Sequence, residues 1–372
     1  KEFHNDLIRI KIIDGKEIEE VPPNVIDMLT NKGYSKIRNW LVSGPIVNVE
    51  FNEEEVNGYL LWNQHIHPEN RFKTAKEVFS EFGGVRSEFE LSLRVNGRWS
   101  HPKDYGDRME IVRGNMIPAY STYCTLKDAM IYRDARNIAR EDGDEIIITH
   151  ANSKDGLPKD ELMKRSGLDP ITFKSRIDRL YRSLHIVRTP RGYYRALPPE
   201  KIMDRDEARY LIVRRIVQNY GMVSAENLGH VLKGELPMSE IRSILYRLVE
   251  ERELIKGFMW EDSELLVWCL KKDLKDIKGK QFKGSFVLHT TDRLAQYLSE
   301  NIKQKYGLGT CHSVFNGSNC TGVFKVQRSG KEMTVTHFIG ERHERYVIEA
   351  WARQLHFNLE WNLKHEESAK IN

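Results

Sequence analysis

The chain has 372 residues, 40% hydrophobic and 30% charged, with a net charge of +4 at pH 7, a length that calls for more than one hydrophobic core. This balance excludes a disordered low-complexity chain, and without a run of eighteen apolar residues it gives no sign of a membrane-spanning helix. Cys124, Cys269, Cys311 and Cys320 never form a CxxC pair, which argues against a zinc finger and against a disulfide scaffold.

Residues 1–50 read as an N-terminal extension. From 51 to 150 the pattern is helical with a short β segment. Asn52 with Glu55, Ser87 with Glu90, and Thr125 with Asp128 each mark a capped helix start, and "DRMEIVRGNMIPAYSTY" reads as extended chain around Arg113 and Gly114. Within this part, "LLWNQHIHPEN" places His65 and His67 one residue apart after Gln64. Pro68 biases His67 to extended backbone, so the helix entering from Glu53 is expected to end near Gln64. The two imidazoles then suit a cap or surface role, a functional pair, or metal ligation. The last lacks a third ligand at a suitable spacing.

The net charge is concentrated in one window. Residues 159–195 hold ten Lys or Arg against four acids, leaving the rest of the chain slightly acidic. Residues 151–200 read as a basic winged-helix domain: a short helix, a turn at Gly167, and a second helix capped by Asp169 with Pro170 in its first position. Phe173, Ile177, Leu180 and Tyr181 form the inward stripe. At about 100° per residue the outward face carries Ser175, Arg179 and Arg182, flanked by Lys174 and Arg176. A hairpin turning at Thr189–Gly192 follows, bearing Arg188, Arg191 and Arg195. In such a plan the second helix enters the major groove and the wing meets the neighbouring backbone.

Residues 201–275 repeat the plan with an acidic outward face, suited to packing. The charged stretch 271–281 reads as a linker. Residues 282–365 give a small α+β module: a strand, a helix, three β segments, and a final helix through "ERHERYVIEAWARQLHFNLEW". The expected fold class is therefore α+β, with tandem winged-helix domains and a C-terminal mixed module.

Over roughly residues 55 to 355 this order resembles the tandem winged-helix DNA glycosylases, the AlkZ-like or YcaQ-like family, whose members excise alkylated bases and unhook interstrand crosslinks. Related domains occur at the C-terminus of Lhr-type helicases. The resemblance is carried by "LLWNQHIHPENRF", "IVRGNMIPAY", the basic winged helix, "FVLHTTDRLAQYL" and "GVFKVQRSGKEMTVTHFIGERHERYVIEAWARQ". In the family, a glutamine, any residue, and a second glutamine or an acid position the attacking water. On that resemblance His65 and His67 take the motif in one frame, and Gln64 with Ile66 in the other. The family also carries Arg-Gly-Thr followed by a histidine, where this chain has Arg113, Gly114, Asn115 and Ile117.

Two function classes follow. One is a repair glycosylase hydrolysing the N-glycosidic bond of an alkylated or crosslinked base, with His65, His67 and Gln64 handling water. The other is a non-catalytic winged-helix DNA-binding protein, a regulator or accessory domain. In both, the partner is double-stranded DNA, damaged in the first case, held by Arg113, Lys174, Ser175, Arg176, Arg179, Arg182, Arg188, Arg191 and Arg195. No cofactor or metal is expected. The polar start "KEFHNDLIRI" lacks a secretory signal, so a cytoplasmic, nucleoid-associated monomer with no membrane contact is anticipated.

Overall fold

The computed structural model describes residues 46–116, 120–260, 266–281 and 283–367. Most of the expected N-terminal extension thus lies outside the described residues. Its last part forms strand β1 (Ile46–Phe51), which leads into helix α1 (Glu53–Asn63). Asn52 and Glu55 close the capping box at the start of α1. Helices α2 (Ala75–Phe82), α3 (Glu88–Arg94) and the one-turn α4 (Gly106–Met109) precede the hairpin of β2 (Ile111–Met116) and β3 (Tyr120–Thr125). Ser87 occupies the N-cap position of α3 but makes no capping hydrogen bond. Its hydroxyl lies 3.0 Å from the Thr291 hydroxyl, and Glu90, the expected box partner, turns inward to arginines.

After α5 (Leu126–Arg136), capped by Thr125, comes a unit of α6 (Asp144–Ala151), α7 (Lys159–Ser166), α8 (Pro170–Arg182) and the strands β4 (Ile186–Arg188) and β5 (Tyr194–Ala196). Gly167 takes φ +65° between α7 and α8, a conformation that costs other residues more. The Asp169 side chain accepts from the amides of Ile171 and Thr172, and Pro170 begins the helix, as the sequence implies. Phe173, Ile177 and Leu180 are buried against Ile147, Leu162 and Tyr194, giving this unit a core of its own. Tyr181 is half-buried. Leu157 bridges Tyr194, adding one residue of pairing to the hairpin.

The order then recurs with α9 (Arg205–Tyr220), β6 (Met222–Val223), α10 (Ala225–Leu232), α11 (Met238–Glu250), β7 (Leu254–Trp260) and β8 (Val267–Leu270). Here β1 joins β7 in parallel, giving the sheet order β1-β7-β8-β6. The first hairpin and the basic one are also continuous, as β3-β2-β4-β5.

Residues 271–281 form two short 3-10 turns in place of a free linker. Ile277 is fully buried, and Asp273 accepts from the Tyr59 hydroxyl at 2.8 Å, so the charged stretch is pinned to α1. Its apolar anchors, Ile277 and the half-buried Leu274, are hidden among many lysines in the sequence.

The C-terminal part holds β9 (Ser285–Leu288), α12 (Arg293–Tyr297), α13 (Ser299–Tyr306), β10 (His312–Asn316), β11 (Asn319–Ser329), β12 (Glu332–Ile339), α14 (Arg342–Gln354) and β13 (Asn358–Glu367), with sheet order β13-β12-β11-β10-β9. The final helix is shorter than the sequence reading. It stops at Gln354, His356 turns at φ +58°, and the alternation Leu359, Trp361, Leu363 continues as an edge strand parallel to β12. The fold is mixed α+β. Its largest apolar cluster joins α1, α5, α9, α10 and α11 to part of this C-terminal module, from Phe51 to Val323.

Candidate nucleic-acid interface

A cleft of about 800 Å³ is lined by residues from β2, β3, the end of α10, and the segments around α12 and α13. Arg86, Arg113, Lys233 and Lys303 face Glu300 as the one carboxylate in its lining, and Tyr120, Ser121, Thr290, Gln296 and Ser299 add polar groups. Four cations against one acid give the cleft a positive field. Arg113 is set by the pairing of β2 with β3, and its Nε donates to the Ser121 hydroxyl at 2.7 Å. His230, on α10, has Nε2 3.0 Å from the Ser299 hydroxyl.

Of the other cations expected to meet DNA, Arg191 and Arg195 line a second cavity of about 620 Å³ with Lys103 and Lys154, opposed by Asp104, Glu110 and Asp155. Arg188 is committed internally: its guanidinium donates to the Tyr194 hydroxyl at 2.8 Å and lies over the Tyr181 and Tyr194 rings. On α8 the outward face is narrower than the helical wheel implies. Ile171, Lys174, Ser175, Asp178 and Arg182 are exposed, at spacings of three, four and seven. Arg179 instead forms ion pairs with Glu141 and Asp144, and Arg176 packs over Gly143. The segment before α6 folds back across α8, a tertiary contact that no helical wheel contains.

The histidine motif sits away from the cleft lining. Gln64 caps α1 and is fully buried: its Nε2 donates to the Asn219 carbonyl at 2.8 Å, and its Oε1 accepts from Arg94 at 2.9 Å. Ile66 is fully buried as well. His65 takes φ +54°, stacks on Phe72 with centroids 3.8 Å apart, and donates from Nδ1 to the Asn70 carbonyl at 2.6 Å. Burial lowers its pKa, so the ring is neutral at pH 7 and its Nε2 is an acceptor. His67 is nearly buried beside Trp62. Its Nδ1 accepts from the Glu69 amide, and burial again lowers its pKa. The two rings point to different neighbours and are not brought together.

Next to residues of the cleft lies an ionic cluster that has no local signature in the sequence. Arg94 pairs with Asp292 through two hydrogen bonds of 2.6 and 2.9 Å, both side chains being fully buried. Glu90 accepts from Arg293 and from the Arg86 amide. Burial alone would raise the Glu90 pKa, but Arg293, Arg94 and Arg86 outweigh it and hold the carboxylate at about 2. This cluster ties α3 to the start of α12 and so fixes the back wall of the cleft. Among the described residues no three His, Cys, Asp or Glu side chains converge as a metal site. No helix among them is long and apolar enough to cross a membrane.

No protein-family model matches the chain. No curated protein matches it either. Among solved structures, the Streptomyces sahachiroi DNA glycosylase AlkZ is similar in fold, with a TM-score of 0.61 and 14% sequence identity, the match covering 85% of this chain and 100% of that one. At this identity the likeness is one of fold.

Proposed function

We propose that the chain binds double-stranded DNA as a monomer with its two helix–helix–hairpin units acting as tandem winged helices, and that it is a DNA repair glycosylase-like protein. The observation that carries the reading is the basic cleft, with four cations and one carboxylate in a space of about 800 Å³. Support comes from the exposed Lys174, Ser175 and Arg182 face of α8, placed as the second helix of a winged helix that enters the major groove. The likeness of the fold to a DNA glycosylase supports it further. The test is duplex binding followed against salt concentration. Affinity is expected to fall steeply with salt, because each phosphate neutralised releases counterions. Binding that stays flat between low and moderate salt would remove the reading.

Hydrolysis is the finer part of the proposal. His65 favours it, as a neutral imidazole whose Nδ1 is fixed to Asn70 and whose Nε2 is left to accept a hydrogen bond from water. The burial of Gln64 and the separate settings of the two rings favour the alternative, a non-catalytic DNA-binding protein. Incubation with duplex containing 7-methylguanine separates them. Base release that is lost in His65→Ala supports hydrolysis; no release, or release unchanged in both His65→Ala and His67→Ala, leaves binding alone.

A further inference from the structure

We infer that Arg86, Tyr120 and Lys233 form a preset cradle for one phosphate of a nucleic-acid strand in the cleft. This rests on the DNA-binding reading above and assigns it a specific contact. Three separate segments deliver the groups. Arg86 follows Gly83 and Gly84, both at positive φ, and a Cβ on Gly84 would stand 2.6 Å from the Thr122 methyl, so only glycine lets this segment lie against β3. Val85 then bridges Tyr123, and the Arg86 amide is held by the Glu90 carboxylate. Tyr120 starts β3. Lys233 caps the end of α10 at φ +50°, where a glycine or asparagine is the usual occupant.

The Tyr120 ring holds both cations, with the Arg86 guanidinium carbon 3.9 Å and the Lys233 ammonium 3.5 Å from its centroid. Ring attraction of this kind contributes on the order of 1 kcal/mol at such sites and leaves both groups charged. The buried Glu90 carboxylate is a charged neighbour of Arg86, whereas exposed Lys233 lies at the cleft surface. Arg86 Nη1 is also a buried donor with no hydrogen-bond partner among the described residues. A buried donor left unmet costs about 1–3 kcal/mol, so an acceptor, whether water or ligand oxygen, is expected beside it. Arg86 lines both the large cleft and a second, small cavity of about 40 Å³ that Gly84 and Tyr220 also line. That cavity is too small for a base and large enough for an oxygen. Arg86, Tyr120 and Lys233 all line the cleft, so an oxyanion there lies in the field of both cations, as a phosphodiester does without reference to sequence.

The experiment measures duplex affinity from low to moderate salt for the wild-type chain and for Arg86→Gln, Lys233→Gln and Lys174→Ala, with thermal unfolding of each as a folding control. The salt slope is expected to fall by about 0.9 in Lys233→Gln and in Arg86→Gln, one phosphate contact each way. Lys233 is exposed, so its variant carries the test if Arg86→Gln unfolds. Slopes unchanged in the cradle variants while Lys174→Ala lowers its own would overturn the cradle and leave DNA binding standing. A wild-type slope near zero would overturn both. Equilibrium dialysis with labelled inorganic phosphate forms the second arm: saturable uptake abolished by the cradle variants, with no change in their duplex slopes, would assign the cradle to a free anion and overturn the strand assignment.

Discussion

Arg94 and Asp292 are both fully buried and paired through two hydrogen bonds, so removing one leaves the other without its bidentate counter-ion in the interior. Asp292→Ala is expected to destabilise the chain by about 3–5 kcal/mol, and the double change Arg94→Met with Asp292→Leu by less, since no charge is stranded. Chemical denaturation of the two variants decides between them; equal losses would mean that packing, and not the stranded charge, sets the cost. Glu90 gives a pH signature. Its pKa is depressed from 4.5 to about 2, so its contribution is fully present above 4.5 and lost as the pH falls through 2. Stability is expected to drop over that interval, and Glu90→Gln to flatten this part of the profile.

Single elements are governed by their ends and by the pH of their surroundings. Ser224 is fully buried at the N-cap of α10 and accepts from the Asn227 amide, and α10 ends at Lys233 of the cleft. Ser224→Ala is expected to cost about 1 kcal/mol and to weaken duplex binding through the displaced lysine; a thermal melt and a binding curve on the same sample check both. In the C-terminal sheet His312 stacks between Phe324 and Trp351, and burial pushes its pKa down to about 4. His289, stacked on Phe89, is pushed down to about 2 by burial, with His312 and Arg328 adding to it. Both are held neutral in the fold, so unfolding takes up protons below 6.5 and stability is expected to fall from pH 6.5 downward, steadily through pH 4. Following Trp351 fluorescence against pH, with His312→Phe as the comparison, isolates this part. The signals that place these elements are local. The caps at Asn52, Thr125 and Asp169, and the stripe Phe173, Ile177, Leu180, stand in the sequence as they stand in the fold. β13 escaped because its period-two pattern is short and follows a helix directly.

At the scale of the whole molecule, the cleft depends on elements far apart in the chain. Arg86, Tyr120, Lys233 and Lys303 come from four segments that only the shared core and the Arg94–Asp292 pair bring together. Changing Lys174 and Arg182 together to alanine is expected to lower the salt slope of duplex binding by about 2, while Arg179→Ala lowers stability more than slope, because Arg179 already holds Glu141 and Asp144. An unchanged slope in the double variant would take α8 out of the interface.

Local physics let the sequence determine the helix starts, the basic window, the two helix–helix–hairpin units and the end of α1 at Gln64. Each depends on residues within a turn or two of one another, where capping, proline geometry and periodicity act. Tertiary structure alone decided which of those charges remain open. It folded Glu141 and Asp144 over Arg179, sealed Gln64 behind Arg94, turned His65 and His67 toward different aromatic rings, and gathered Arg86 and Lys233 onto Tyr120. A side chain's partners across a hundred residues depend on packing and burial, which no local pattern records.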